Sequence, residues 1–265
     1  MSIVDAHIHL WDPSRFSLSW FRDDMGLPRV ALPAALRDAA AGAARPVTAA
    51  VAVQAGDTLP EMQWLLEVAA ADPVVRAVVL QYVPGFDGWA GLASDVLNDR
   101  VCGIRVATPG GAADLSDVPG LDVLCEGAGS SGRVVELLVR PAQLDAVAQL
   151  AGRYPRTTFV LCHLGLGAGA PTREWQESLR RCAAEPNTAA KFSGLATAPD
   201  DHDRLAALAA TASDAFGEHR LMFGSDWPMS ARVDSYERLV DRVERAWLGR
   251  SDDLWAAASV QVYGL

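Results

Sequence analysis

The chain has 265 residues, half of them hydrophobic, with 33 acidic side chains against 23 Lys and Arg and a net charge of −10. That balance argues against nucleic-acid binding and against an anionic membrane surface, because both attract cationic proteins. The length suits one α/β barrel domain over residues 1–265, and no apolar run reaches transmembrane length.

The first strand is expected over Ile3–His9, too close to Met1 to leave room for a signal peptide. Strict alternation along it would put Asp5, His7 and His9 on one face and Val4, Ala6 and Ile8 on the other. An aromatic loop, Trp11–Pro33, follows, long enough to be functional or to cap the fold. Helices are expected over Pro33–Ala44, Thr58–Ala71, Gly88–Asn98, Leu121–Ala128, Pro141–Tyr154, Thr172–Ala184, Asp200–Phe216, Ser235–Leu248 and Asp252–Val262. Between them lie apolar runs that read as strands. These are Val47–Gln54, a run within Val74–Val83 closed by Pro84, Cys102–Ala107, Arg133–Val139, Thr157–His163, Thr188–Ser193 and Arg220–Asp226. The four cysteines, Cys102, Cys125, Cys162 and Cys182, show no CxxC spacing and read as free thiols of a cytoplasmic protein.

Eight short apolar strands alternating with helices, buried on both faces, point to a closed parallel (β/α)8 TIM barrel. An open doubly wound sheet is the alternative. It would bring a glycine-rich phosphate loop after the first strand, where this chain has HIHLWD. In a barrel the strand C-terminal ends converge on one mouth, and polar residues recur there: His7, His9, Gln54, Arg105, His163, Lys191, Ser193 and Asp226. Three imidazoles and a carboxylate, His7, His9, His163 and Asp226, have the number and type of ligands for a divalent metal ion, zinc first. The fifth and seventh strands add only Glu136 and Lys191, so a metal-free site is the other reading.

The stretches DAHIHLWD, VAVQAGDTLPEMQWLLEVA, CGIRV, FVLCHLG, NTAAKFSGL and RLMFGSDWP resemble the amidohydrolase superfamily, collinearly from first strand to last. More narrowly they resemble the amidohydrolase 2 branch of sugar lactonases and related lactone hydrolases. The resemblance implies a metallo-dependent-hydrolase barrel, hydrolysis of a cyclic ester, and a site made of His7, His9, His163 and Asp226. The chain departs from the family pattern at Cys162, where Asp is common, at HLGLGAGAP, which lacks a Lys, and at Val106 after Arg105.

The expected roles follow. Asp226 takes a proton from water, unless its carboxylate only caps the following helix. His163 is a ligand or electrophile, or else a core histidine. Arg105 holds an acid group or forms a structural ion pair. Gln54, Trp11 and Trp227 join Arg105 as substrate contacts. Glu61 binds metal or substrate, or stabilises its helix N-terminus. Cys162 is expected to point outward into the helix layer, and His202 and His219 to face solvent. The partner is a small-molecule substrate, without nucleic acid or membrane, and a homo-oligomer is left open. The rivals are a metal-dependent decarboxylase on the same barrel and a non-catalytic ligand-binding relative.

Overall fold

The structure, a computed structural model, describes residues 2–83, 99–167, 169–198 and 200–265. The helix expected over Gly88–Asn98 lies outside the described residues.

Eight parallel strands form one sheet in sequence order: β1 (Ile3–Ile8), β2 (Val47–Val53), β3 (Val75–Gln81), β4 (Val101–Ala107), β5 (Val134–Leu138), β6 (Phe159–Leu161), β7 (Thr188–Phe192) and β8 (Leu221–Phe223). The Asp226 amide donates to the His7 carbonyl at 2.8 Å and the His9 amide to the Trp227 carbonyl at 2.7 Å, joining last strand to first. The sheet is thus a nearly closed (β/α)8 barrel, as the alternation of elements predicts. Every strand is present; β4 starts one residue earlier than expected, and the others are shorter by one to three residues at one or both ends.

The described helices are α1 (Pro33–Ala40), α2 (Leu59–Ala71), α3 (Leu121–Ser131), α4 (Leu144–Arg153), α5 (Arg173–Ala184), α6 (His202–Phe216), α7 (Tyr236–Ala246) and α8 (Ala257–Tyr263). Hydroxyls at Thr58, Thr172 and Ser235 accept backbone N–H bonds from the first turns of α2, α5 and α7. Each satisfies a donor that the helix start would otherwise leave open. Among the described residues no helix is long and apolar enough to cross a membrane.

Apolar side chains pack in two shells. One lies between strands and helices. The other fills the barrel with small residues, among them Ala6, Val51, Val53, Ala77, Val79, Val134, Val160 and Ala189. The C-terminal helix α8 joins this inner shell through Ala258 and Tyr263. The Ser259 hydroxyl donates to the Val4 carbonyl, so α8 sits on the barrel end opposite the strand C-termini.

Candidate active site

His7, His9, His163 and Asp226 converge at the strand C-terminal end, but not by the simple alternation expected of β1. The pairing of β1 with β2 slips between Asp5 and Ile8, so three steps on β1 match two on β2. A bulge of this kind puts two successive residues on one face. Ala6 packs inside the barrel and His7 faces inward too, toward Lys191 and His163. Asp5 lies on the other face. Its carboxylate accepts from the His7 amide at 3.1 Å, the Ser225 amide at 2.9 Å and the Tyr236 hydroxyl of α7 at 2.9 Å. The expectation that Asp5 shares the histidines' face is corrected. Asp5 holds the bulge and the β8 end from behind.

A second departure places His163. Strand β6 stops at Leu161, and His163 and Leu164 take left-handed backbone angles, with φ of 54° and 55°. Cys162 therefore keeps its inward position and His163 turns inward as well. The Cys162 thiol lies 3.4 Å from Glu136 inside the barrel, so the expected outward direction of Cys162 is wrong. Ser193 fixes the His163 ring by a 2.8 Å bond to Nδ1. Gly194 makes room for it. A Cβ at that position would stand 2.6 Å from His163 Nδ1, closer than real contacts allow.

At the mouth a cavity of about 320 Å³ is lined by His9, Trp20, Ala55, Arg105, Leu138, Arg140, His163, Asp226 and Met229. That volume is at the small end of ligand pockets. Arg105 enters it from β4, with Nε bonded to Gln81 and Nη2 to the Gln54 carbonyl. Arg140 stands beyond β5 and donates to the Val139 carbonyl. Sequence reasoning passed over Arg140, although a polar residue just past a strand end is the signal that marks Arg105 and Asp226.

Three expected substrate contacts are elsewhere. Gln54 is fully buried, and its amide is spent on Gln81, Thr58 and Glu61. Trp11 is fully buried, bonded to the Pro28 carbonyl and packed edge-on against Trp20. Trp227 packs in the outer core. Trp20 is the ring of the aromatic loop that reaches the cavity, held by a 2.9 Å bond to the Ala55 carbonyl. Glu61 turns back to accept the Ala55 and Gly56 amides, tying the loop after β2, and burial raises its carboxyl above the ordinary value. His202 and His219 are exposed, as expected.

Below the cavity lies a buried polar layer. Lys191 Nζ is 2.6 Å from Glu136 and 3.1 Å from His7 Nδ1, and both charged residues are fully buried. The electrostatics follow from this crowding. Burial and then Lys191 push the His7 imidazole well below its usual value. Burial lowers His163 as well, against the pull of Asp226. Burial alone would raise the Asp226 carboxyl. His163, His9 and Arg105 outweigh it and hold Asp226 below the ordinary carboxylate value.

The donor set fits a divalent metal ion. His7 Nε2 and His9 Nε2 are 3.3 Å apart, and Asp226 Oδ1 lies 3.7 and 3.5 Å from them. Ligands at about 2.0–2.2 Å from a tetrahedral ion are separated by about that much. One donor each from His7, His163 and Asp226 also falls within 4.8 Å of the others. His9 Nδ1 meets the Val53 carbonyl at 2.7 Å, the outer partner that orients a ligating imidazole.

Residues 4–257 match the amidohydrolase family. The chain is 30% identical to an L-fucono-1,5-lactonase of Burkholderia multivorans, over 99% of this chain and 96% of that one. It is 30% identical to an L-fucono-1,5-lactonase of Burkholderia ambifaria, over 86% and 80% of the two chains. Among solved structures, an amidohydrolase from Burkholderia multivorans with bound zinc superposes over 100% of both chains with a TM-score of 0.88 at 28% identity.

Proposed function

We propose, from the premise that this chain belongs to the amidohydrolase family, that it is a hydrolase opening the ring of a small sugar-acid lactone with water activated by Asp226. The observation that carries this reading is the convergence of the Asp226 carboxylate with His9 and His163 in one small cavity that also holds two guanidinium groups. The two L-fucono-1,5-lactonases that the chain resembles supply the substrate class.

Asp226 is ionised at neutral pH and 16% exposed, so it can accept a proton from a water in the cavity. The water oxygen bonds to the lactone carbonyl carbon as its proton passes to Asp226. The carbonyl oxygen becomes an oxyanion, which the Arg105 guanidinium and the His163 imidazole face from the cavity wall. Collapse re-forms the C=O bond and breaks the ring C–O bond, and the leaving alkoxide takes the proton from Asp226. The product is an open hydroxy acid, whose carboxylate suits Arg105 and Arg140. Among the described residues both guanidinium groups bond only amide oxygens in the wall, which leaves donors over. Trp20, Leu138 and Met229 supply the apolar wall for the ring carbons.

A divalent ion, with zinc the first choice, would be held by His7, His9, His163 and Asp226, and when bound would polarise the carbonyl. Four buried free thiols accord with a cytoplasmic setting. The test is a panel of aldonolactones, L-fucono-1,5-lactone first, followed by acid release in weak buffer. Turnover of a sugar lactone is expected. Carbon dioxide release from an aromatic acid without lactone turnover would move the chain to the decarboxylase reading, and binding without any turnover to the ligand-binding one.

A further inference from the structure

We infer that Lys191 is a positioning residue for the metal site: it holds His7 in the tautomer whose proton sits on Nε2, and so keeps divalent-ion binding weak and reversible. The inference rests on the metal reading above, and deepens it.

The geometry leaves one consistent assignment. Lys191 Nζ lies 2.6 Å from Glu136 Oε1 and 3.1 Å from His7 Nδ1. An ammonium only donates, so His7 Nδ1 must accept. A neutral His7 ring then carries its proton on Nε2. His9 Nδ1 faces the Val53 carbonyl at 2.7 Å, and a carbonyl only accepts, so His9 carries its proton on Nδ1 and leaves Nε2 bare. The two Nε2 atoms are 3.3 Å apart. The ion-free chain is thus a one-directional relay: Lys191 donates to His7, His7 to His9, and His9 to Val53.

Glu136 anchors the relay. It also receives the Tyr263 hydroxyl at 2.6 Å and the Cys162 thiol at 3.4 Å. Lys191 is fully buried with its ammonium over the Tyr263 ring, 5.5 Å from its centre. Glu136, Cys162 and His7 together offer three donors within 4.8 Å of one another. Lys191 bonds two of the three, Glu136 and His7, and so takes the place of a second ion.

The consequence falls on His7. To hold an ion through Nε2, its ring must give up that proton while Nδ1 still faces an ammonium. Moving the proton to Nδ1 sets N–H against N–H. Lys191 therefore opposes ion binding at His7, and leaves His9, His163 and Asp226 as the donors free of this conflict.

The test uses the full chain stripped of metal, with zinc alone as the probe. Affinity is read by competition with a chromophoric chelator. Lys191→Met alone would strand the buried Glu136 carboxylate, so the double variant Lys191→Met with Glu136→Gln is the informative one. It is expected to bind zinc about 10–100-fold more tightly than the native chain, the range over which outer partners tune metal sites. A folded double variant that binds zinc, but no more tightly than the native chain does, overturns the proposal. Long-range nitrogen–proton NMR of the native metal-free chain reads the tautomer without any variant of Lys191, with the His7 ring assigned by its loss in His7→Gln. A bare Nδ1 and a protonated Nε2 are expected, and the reverse pattern overturns the proposal. If the native chain and the double variant both fail to bind zinc, the metal reading falls, while the NMR pattern still decides what Lys191 does to His7.

Discussion

The hydroxyl of Tyr263 lies 2.6 Å from the carboxylate of Glu136, joining the last helix of the chain to the middle of strand β5 inside the barrel. Tyr263 is 7% exposed, and burial, then the Glu136 charge, keep its hydroxyl protonated well above the ordinary range. Bonds of this kind to a charged acceptor are worth about 1.5–3 kcal/mol. Tyr263→Phe is expected to lose that much stability, seen as a lower urea midpoint with an unchanged slope. A loss below roughly 0.5 kcal/mol, the level of ordinary surface changes, would mean that α8 docks without help from this bond.

Asp226→Asn keeps the shape of the side chain and removes the basic oxygen. Loss of a general base costs about 10²–10⁴-fold. At least the lower figure is expected in kcat on a sugar lactone, with the thermal midpoint little changed. A fully active variant would remove Asp226 from the mechanism and with it the main support for hydrolysis.

Arg140 lines the cavity, and among the described residues it makes no hydrogen bond to the imidazoles. Its expected work is to hold the ring hydroxyls of the substrate and the carboxylate of the product. Arg140→Gln should raise KM about tenfold, the loss of one charge-assisted bond, and leave kcat nearly intact, the pattern of lost uniform binding. An equal fall in kcat and kcat/KM would instead put Arg140 on the oxyanion.

Asp201 offers a pH test of stability away from the site. Burial would raise its carboxyl, but the amides of Thr197 and Ala198 and the Arg242 guanidinium outweigh it and hold it below the ordinary value. A folded-state value below the unfolded one stabilises the chain above about pH 3.9, the unfolded value, and the gain fades as pH falls through the folded value. Native protein should therefore exceed Asp201→Asn in thermal midpoint at pH 7, with the gap closing in acid. A gap that stays constant down to pH 3 would show that the carboxylate's charge contributes nothing.

The order of strands, the barrel and the convergence of His7, His9, His163 and Asp226 at one mouth were legible in the chain itself. Strand and helix periods are local properties. A polar residue ending an apolar strand is visible without knowing its neighbours, which is why His7, His9, Arg105, His163 and Asp226 stood out. Gln54 satisfied the same local rule, and Trp11 and Trp227 follow close behind such strand ends, yet none of the three lines the cavity, because side-chain direction depends on partners that adjacency in sequence does not reveal.

What only the tertiary structure decided is the set of exceptions to alternation. The β1 bulge exists because the Asp5 carboxylate accepts the amides of both His7 and Ser225, from opposite ends of the chain. The left-handed turn at His163 brings Cys162 and His163 to the same interior, where Gly194 leaves space for the ring. Lys191 becomes buried through Glu136 of β5 and Tyr263 of α8, two groups that no local window connects to it. A buried charge is tolerable only where such partners surround it, and their convergence is a property of the closed barrel.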